Sequence, residues 1–239
     1  EIPLIASVAG SMFFLLALIN AFNLLDGIDG LTSITGIIVA SFYSYMFYQL
    51  GYFYYLSISI TTIATLLAFL RFNFSVKRKI FMGDTGSLTI GLVLGLLTLK
   101  LMTADAIYAS LHFYPEQLPL VLLAVLFVPI LDTCRVMIIR LLRGVSMFSP
   151  DRNHIHHIIV DYGLSHRKAS FLIGIVNFCV GLAMFFVIIN YNTLQSTLLL
   201  ISIFAAGILL LFLLNRNKAA LRLKVKLKAS MLRMFFFTW

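Results

Sequence analysis

The residues best suited to chemistry lie in one stretch between two apolar runs, Asn20-Ala-Phe-Asn-Leu-Leu-Asp-Gly-Ile-Asp-Gly-Leu31. Asp26 and Asp29 are three residues apart, so a helical turn would place both carboxylates on one face. Gly27 and Gly30 would instead allow a tight turn with exposed backbone N–H groups. Either geometry gives an acidic pocket suited to a hard divalent cation or to the donors of a nucleotide. The alternative is a polar loop in which the aspartates only cap helices.

A second polar stretch is Lys79-Ile-Phe-Met-Gly-Asp-Thr-Gly-Ser87, which follows two further bases. Asp84 stands there between two glycines and beside two hydroxyl side chains. This grouping suits a metal ion, a phosphate or both. Its alternative is a helix N-cap formed by Asp84 or Ser87. A plain cap explains neither the glycines nor the bases, so we favour a ligand site.

The third stretch is Pro150-Asp-Arg-Asn-His-Ile-His-His157, with three histidines in four residues. A zinc site would draw all its ligands from this short segment, and no cysteine or second histidine cluster completes the shell. Donors that hold a phosphate or a sugar suit Arg152 and the histidines better. We favour the phosphate or sugar interpretation.

Composition indicates which elements must position these stretches. The chain has 239 residues, of which 61% are hydrophobic and 11% are charged, and its mean hydropathy is +1.02. A soluble domain of this size could not bury that much apolar surface. Continuous rather than alternating apolar runs predict an all-α, polytopic transmembrane helix bundle. The seven predicted spans are 2–22, 31–50, 52–70, 88–102, 118–142, 169–190 and 193–214.

Asp132 lies inside the fifth predicted span. An ionisable group at that depth should face protein and be paired, and Arg135 or Arg140 is the expected partner. Pro129 is expected to bend the same helix.

The distribution of basic residues predicts the orientation. If the loop that contains Asp26 is cytoplasmic, every Lys and Arg except Lys100 falls on the cytoplasmic side, as the positive-inside rule requires. Residues 1–214 then form the transmembrane domain. Residues 215–239 form a basic cytoplasmic tail attracted to anionic lipids, which fits the net charge of +9 better than a nucleic-acid partner does.

Together the three stretches resemble signature segments of the polyprenyl-phosphate N-acetylhexosamine-1-phosphate transferases, the group that contains WecA, TagO and the MraY translocases. They occur in the family's order, each on the predicted cytoplasmic side, and the resemblance extends to about Leu164. The separated His-Ile-His-His form is more similar to the WecA and TagO branch. The family carries another aspartate pair in an earlier loop, so we expect this chain to be the C-terminal portion of a larger enzyme.

The resemblance implies transfer of N-acetylhexosamine 1-phosphate from a UDP-sugar to a polyprenyl phosphate such as undecaprenyl phosphate, with release of UMP, at the start of cell-envelope polysaccharide synthesis. Whether an aspartate attacks first or only activates the lipid phosphate is left open by the sequence. It implies Mg²⁺, or Mn²⁺ in its place, as cofactor. The implied catalytic residues are Asp26, Asp29, Asp84, His154, His156 and His157. The implied substrate-binding residues are Asn20, Asn23, Phe81 and Arg152, and the implied metal ligands are Asp84 and Asn23.

The implied location is the bacterial cytoplasmic membrane, with the active site facing the cytoplasm. The implied partners are the UDP-sugar, the lipid phosphate and the bilayer, without nucleic acid; the oligomeric state is open, with a homodimer among the alternatives. The competing function is a membrane transporter with an ion or solute site. Clustering of the polar residues at one membrane face, without an inverted repeat, argues against it.

Overall fold

A computed structural model describes residues 3–104, 111, 113–144, 146 and 154–236, with side chains described as far as Asn217. These residues are mostly helical, and no strand occurs among them. The helices are α1 (Leu4–Leu25), α2 (Leu31–Gln49), α3 (Phe53–Asn73), α4 (Gly83–Met102), a short 3₁₀ turn (Pro115–Gln117), α5 (Leu118–Val125), α6 (Phe127–Leu142), α7 (Ile155–Asp161), α8 (His166–Asn190) and α9 (Thr193–Phe236).

The predicted all-α membrane bundle is confirmed. Six of these helices are long and apolar enough to cross a membrane, and α5 with α6 makes a seventh crossing if the bent pair counts as one span. One end of the bundle contains the last turns of α1 and α3 and the first turns of α2, α4 and α8. We call it the site end, because the described residues of the three polar stretches lie there.

The fifth span is broken, which corrects the prediction of one continuous helix. α5 and α6 meet at an angle of 74°. Pro129 has no N–H group to donate to the carbonyl of Val125, four residues earlier. Asn177 of α8 supplies the missing donor from its Nδ2 at 2.9 Å, and its Oδ1 accepts the N–H of Val128 at 2.8 Å. The bend that Pro129 predicted is present and is held by a buried amide from a neighbouring helix.

Two helix ends also differ from prediction, and both differences concern the site. α1 continues to Leu25 rather than ending at Phe22, so Asn23 belongs to its last turn. α4 begins at Gly83 rather than Leu88, so Asp84 lies in its first turn. A carboxylate is favourable there because the first N–H groups of a helix carry partial positive charge.

Close packing of α1 against α4 sets the spacing of the site. A Cβ added to Gly91 would lie 2.7 Å from Cα of Ile19, and one added to Gly95 would lie 2.6 Å from Cδ1 of Leu15. These glycines are four residues apart, so they form one small-residue face that lets the two helices approach. The end of α1 is thereby held beside the beginning of α4.

α9 continues as a helix beyond Asn215, where the basic tail was predicted to begin. Its 44 residues correspond to about 66 Å at 1.5 Å per residue. A hydrocarbon layer of about 30 Å needs roughly half of that. The affinity of residues 215–239 for anionic lipids remains a prediction.

Candidate active site

The first polar stretch forms a turn between α1 and α2 rather than a continuous helix. Asp26 is the C-cap of α1, and its backbone N–H donates to the carbonyl of Asn23 at 3.1 Å. Gly30 begins α2 with φ of +81°, a conformation that glycine adopts without steric cost. Of the two geometries left open by the sequence, the glycine-dependent turn is therefore the one observed.

Two contacts join this turn to the second polar stretch. Ser87 Oγ of α4 donates to Asn23 Oδ1 at 2.7 Å. The backbone N–H of Gly83 donates to the carboxylate of Asp26. Asp84 follows immediately and is exposed at the site end. The side chains predicted to act on one substrate from these two stretches are thus brought together.

The carboxylates of this cluster repel one another. Burial raises the pKa of Asp26, and the charges of Asp84 and Asp29 add to that increase against the opposing hydrogen bonds from Gly83 and Thr32. A cation placed between these groups would reverse the effect by favouring the ionised form. The cluster therefore fits a hard cation by its chemistry, since Asp84, Asp26 and Asn23 offer only oxygen ligands.

Magnesium needs few protein ligands because it retains waters and substrate phosphates. Among the side chains that the structure describes, no group of three His, Cys, Asp or Glu is placed to hold a metal ion.

Asp29 lines a cleft of about 210 Å³ together with Asp26, Lys79, Phe81 and His166. Its carboxylate accepts a hydrogen bond from Lys79 Nζ at 2.7 Å and lies 3.5 Å from His166 Nδ1. The ammonium group of Lys79 also lies 5.1 Å from the centre of the Phe81 ring, which is 75% exposed. An open aromatic ring beside an ion pair can stack on a planar base.

Sequence reasoning gave His166 no role, and it included Lys79 in the second polar stretch without predicting its contact with Asp29. Ser170 is a third such residue, because its Oγ donates to the carbonyl of Asp29 at 2.7 Å. No local sequence pattern predicts these roles. They follow from the packing of the first turn of α8 against the α1–α2 turn, more than 130 residues away along the chain.

The third stretch reaches the same end of the bundle through α6. Asp132 Oδ2 lies 2.9 Å from His154 Nδ1, and its Oδ1 accepts the N–H of Ile155 at 2.8 Å. The partner of Asp132 is therefore His154 and not the predicted Arg135 or Arg140. One buried carboxylate fixes both the imidazole of His154 and the first turn of α7.

His156 is the most informative of the three histidines. It is 2% exposed, and its two ring nitrogens are buried without a hydrogen-bond partner in the described structure. A Cβ added to Gly27 would lie 2.1 Å from its Nε2, so the ring is seated directly on the α1–α2 turn. Buried imidazole nitrogens are normally hydrogen-bonded, so this ring has hydrogen-bonding capacity that the described structure does not use.

Burial also determines the charge of His156. Desolvation, followed by repulsion from His157, lowers its pKa to about 4. The side chain is thus neutral near pH 7, with one donor and one acceptor nitrogen. The ring of His157 lies 4.3 Å from it, and that of His154 lies parallel to it at 5.8 Å.

Two predicted residues are less well placed by the structure. Asn20 lies one turn before Asn23 on α1 and is exposed, so its role rests on the resemblance. Arg152 lies outside the described residues. The other eight predicted site residues all lie at the site end.

Comparison with known proteins agrees with this arrangement. Residues 1–102 match the family described as glycosyl transferase family 4. The chain is 34% identical over 203 residues to a probable undecaprenyl-phosphate N-acetylglucosaminyl 1-phosphate transferase of Bacillus subtilis, a match that covers 85% of this chain and 52% of that protein.

This chain is thus similar to glycosyl transferase family 4 over its first 102 residues. It is also 31% identical over 166 residues to an undecaprenyl-phosphate alpha-N-acetylglucosaminyl 1-phosphate transferase of Yersinia pestis, covering 68% of this chain and 43% of that one. It is 37% identical over 136 residues to a decaprenyl-phosphate N-acetylglucosaminephosphotransferase of Mycobacterium leprae, covering 54% and 34%. The chain thus spans about half or less of the length of these curated relatives.

The family match includes α1 to α4 and hence the first two polar stretches, but not the histidine segment. The longer match to the Bacillus subtilis protein necessarily includes the histidines as well, because it extends over 85% of the chain. The resemblance inferred from three short stretches is therefore confirmed across most of this multi-pass membrane protein.

Proposed function

We propose that this chain forms the cytoplasmic active site of an enzyme that transfers N-acetylhexosamine 1-phosphate from a UDP-sugar to a polyprenyl phosphate in the bacterial cytoplasmic membrane. The observation that carries the proposal is the joining of Asn23 and Asp26 to the first turn of α4 by Ser87 and Gly83. This contact assembles an acidic, oxygen-rich cluster at the membrane end where the basic residues collect. The names of the relatives supply the class of reaction.

In the proposed reaction one phosphorus–oxygen bond forms and another breaks. A phosphate oxygen of the lipid forms a bond to the β-phosphorus of the UDP-sugar. The bond from that phosphorus to the oxygen bridging the two phosphates breaks, and UMP leaves with the electron pair. The product is a lipid-linked sugar pyrophosphate.

The chief obstacle is repulsion between two anionic phosphates, so catalysis depends on charge screening and positioning. Asp84 and Asn23 would hold Mg²⁺, which when bound supplies charge neutralisation and orientation of the phosphates. Neutral His156 donates a hydrogen bond to a diphosphate or sugar oxygen. His154 is held by Asp132 in one tautomer, with Nδ1 protonated and Nε2 directed away from the carboxylate.

The nucleotide is held on the other side of the cluster. Phe81 stacks on the uracil, and Asp29, oriented by Lys79 and His166, accepts a hydrogen bond from the base or the ribose. A transporter would place its polar groups near the membrane midplane. The described site residues lie at one end of the bundle, which favours the transferase.

The test is release of UMP from UDP-N-acetylglucosamine by membranes that contain the full-length protein, with polyprenyl phosphate and Mg²⁺. Asp84→Asn should abolish release, and a chelator should abolish it in the unaltered protein. Glu116→Gln, at the opposite end of the bundle, is the matched carboxylate control and should retain activity. Full activity of Asp84→Asn at equal expression would remove Asp84 from the metal role, and UDP-sugar uptake without UMP release would favour a transporter.

A further inference from the structure

Helix α8 contacts the surroundings of the candidate site at two levels. In its first turns, His166 lies 3.5 Å from the Asp29 carboxylate, and Ser170 donates to the Asp29 carbonyl at 2.7 Å. Asn177 lies seven residues after Ser170, which is about 10 Å further into the bundle. At that level its side chain contacts the break between α5 and α6. One helix therefore contacts both the cleft that contains Asp29 and the span that supports the histidines.

The side chain of Asn177 completes the backbone at this break. Its Nδ2 donates to the carbonyl of Val125, which Pro129 leaves without its usual donor, and its Oδ1 accepts the N–H of Val128. The side chain is 0% exposed. Water cannot replace these two hydrogen bonds inside a hydrocarbon layer. The angle of 74° between α5 and α6 is therefore held by an amide for which the membrane offers no substitute.

The break lies about one helical turn from the carboxylate that holds the histidine segment. Val128 is bonded to Asn177, and Asp132 follows it four residues later on the same face of α6. Asp132 in turn holds His154 and the N–H of Ile155. Four residues correspond to about 6 Å, so a rotation of α6 by about 10° at the break would move Asp132 by about 1 Å. A misplacement of that size in a catalytic group costs roughly 100-fold in rate.

Glycines on either side of Asn177 keep α8 close to α2. A Cβ added to Gly174 would lie 2.4 Å from Cγ2 of Ile34, and one added to Gly181 would lie 2.9 Å from the Phe42 ring. These glycines are three and four residues from Asn177, so they share its face of the helix. Close packing on this face leaves α8 little freedom to slide or turn. The amide is thus presented to the break by a rigid element.

We propose that Asn177 is a positioning residue for the transfer reaction. By holding the break between α5 and α6, it directs Asp132, and with it His154 and the histidine segment, toward the diphosphate of the UDP-sugar. This inference rests on the proposed function, because that function supplies the diphosphate. Since α8 also contacts Asp29, the same helix keeps the two sides of the site at a fixed spacing. Asn177 acts through α6 and not by contact with a substrate.

The first test removes the amide. Asn177→Leu leaves the Val125 carbonyl and the Val128 N–H without partners, so α6 is no longer held in one direction. In membranes that contain the full-length protein, kcat for UMP release should fall about 10- to 100-fold, the range expected for residues that orient a functional histidine. The Mg²⁺ concentration required for half-maximal activity should stay unchanged, because the acidic cluster keeps its contacts. An unchanged kcat at equal expression would overturn the inference.

The matched control is Asn190→Leu on the same helix. Asn190 is exposed, and its Nδ2 donates to the carbonyl of Phe186 in its own helix at 2.7 Å. This variant makes the same chemical change at the opposite end of α8, and it should keep the kcat of the unaltered protein. A loss of kcat equal to that of Asn177→Leu would overturn the inference, because the effect would then not depend on the break.

A second variant distinguishes positioning from loss of stability. Adding Pro129→Ala to Asn177→Leu returns the N–H that the Val125 carbonyl lacks, so the helix regains a backbone hydrogen bond without the amide. The melting temperature in detergent should rise relative to Asn177→Leu alone. The value of kcat should remain low, because nothing restores the direction of α6. Recovery of kcat in this double variant would mean that Asn177 only stabilises the fold, and would overturn the inference.

A double-mutant cycle tests the route of the effect. Asn177→Leu and Asp132→Asn act in series on His154, so their combined loss of kcat should be no larger than the larger single loss. Both variants should also show the same change in the pH dependence of kcat. Asn177→Leu combined with Ser87→Ala should instead multiply the two losses, because Ser87 acts on the other side of the site. Multiplied losses in the first pair would overturn the inference.

A distance measurement tests the geometry without turnover. Cys134 of α6 and Cys179 of α8 are both exposed and can carry nitroxide spin labels. The distribution of distances between the labels should shift or broaden in Asn177→Leu and should be unchanged in Asn190→Leu. An unchanged distribution in Asn177→Leu would overturn the inference while leaving the proposed function intact. Absence of UMP release by the unaltered protein, with the distances as expected, would overturn the proposed function instead.

Discussion

The two halves of the candidate site are built differently. On the α1–α4 side, the polar groups are paired with one another: Asn23 with Ser87, Asp26 with Gly83, and Asp29 with Lys79. On the histidine side, His154 is paired with Asp132, while both ring nitrogens of His156 are buried without a hydrogen-bond partner in the described structure. The first half is preorganised by its own contacts. In the second half, the ring nitrogens of His156 remain able to form hydrogen bonds.

This difference suggests a division of labour. Preorganised carboxylates hold the cation and nucleotide without rearrangement, which is the condition for strong electrostatic catalysis. An unsatisfied buried imidazole costs stability, and a bound diphosphate or sugar would recover that cost. Variants at the junction and on each half should separate these contributions.

The largest effect is expected where the two halves touch. Gly27→Ala would place a Cβ 2.1 Å from His156 Nε2, so the ring must move off the α1–α2 turn. We expect a loss in kcat/KM of about 100-fold, the cost of a misplacement of roughly 1 Å in a catalytic group. The assay is UMP release at equal expression, and Gly10→Ala in α1, where an added Cβ would have nothing within 4 Å, is a control for glycine replacement. Full activity of Gly27→Ala would disprove the contact.

A smaller loss is expected when the histidine half loses its orientation. Asp132→Asn keeps the acceptor for the N–H of Ile155 but presents an amide N–H to His154 Nδ1, which favours the opposite tautomer. We expect a decrease in kcat of about 10- to 100-fold, as for other residues that orient a functional histidine. Both the magnitude of kcat and its pH dependence should change, whereas Cys134→Ser on the same helix should leave both unchanged. A loss of thermal stability with an unchanged pH profile would indicate a structural role only.

On the preorganised half, a single hydrogen bond should matter less. Ser87→Ala removes the donor to Asn23 Oδ1, and we expect about a tenfold loss of activity, equivalent to one net hydrogen bond of roughly 1.4 kcal/mol. Because Asn23 is proposed as a metal ligand, the concentration of Mg²⁺ required for half-maximal activity should rise. Thr89→Ala, two residues further along α4, should not change that concentration. An unchanged Mg²⁺ requirement in Ser87→Ala would separate Asn23 from the metal.

The smallest effect concerns stability. His156 has a pKa of about 4 in the fold, below its usual value near 6.5, so the unfolded chain binds more protons between these two pH values. The free energy of unfolding should therefore fall as the pH decreases from 6.5 to 4, by at most about 1.4 kcal/mol per pH unit from this group. Thermal unfolding of the protein in detergent should show a weaker pH dependence for His156→Asn than for the unaltered protein. Identical dependences in the two proteins would contradict the neutral state.

Sequence was sufficient to predict what depends on local composition. Long apolar runs predicted the membrane helices, and the types and spacing of the polar residues predicted the three stretches that form the site. Sequence failed where a residue acts through a distant partner. At the break near Leu126, Asn177 supplies the hydrogen bond that the backbone lacks. Asp132 pairs with His154. Hydrophobic periodicity predicts neither contact.

Helix ends were the other weakness. Gly83 and Asp84 resemble a loop in sequence, yet they form the first turn of α4, beside the Asp26 carboxylate of a different segment. Hydropathy places a boundary where the apolar residues stop, but the helix itself continues into the polar residues.

The glycine contact between α1 and α4 also constrains the biogenesis of the protein. α2 and α3 lie between these helices in sequence. The contact of α1 with α4 therefore cannot form until Gly91 and Gly95 have left the ribosome. A nascent chain that ends before Gly83 displays Asp26 and Asp29 without the segment that completes their surroundings. The acidic cluster therefore forms only when the fourth helix packs against the first during membrane insertion.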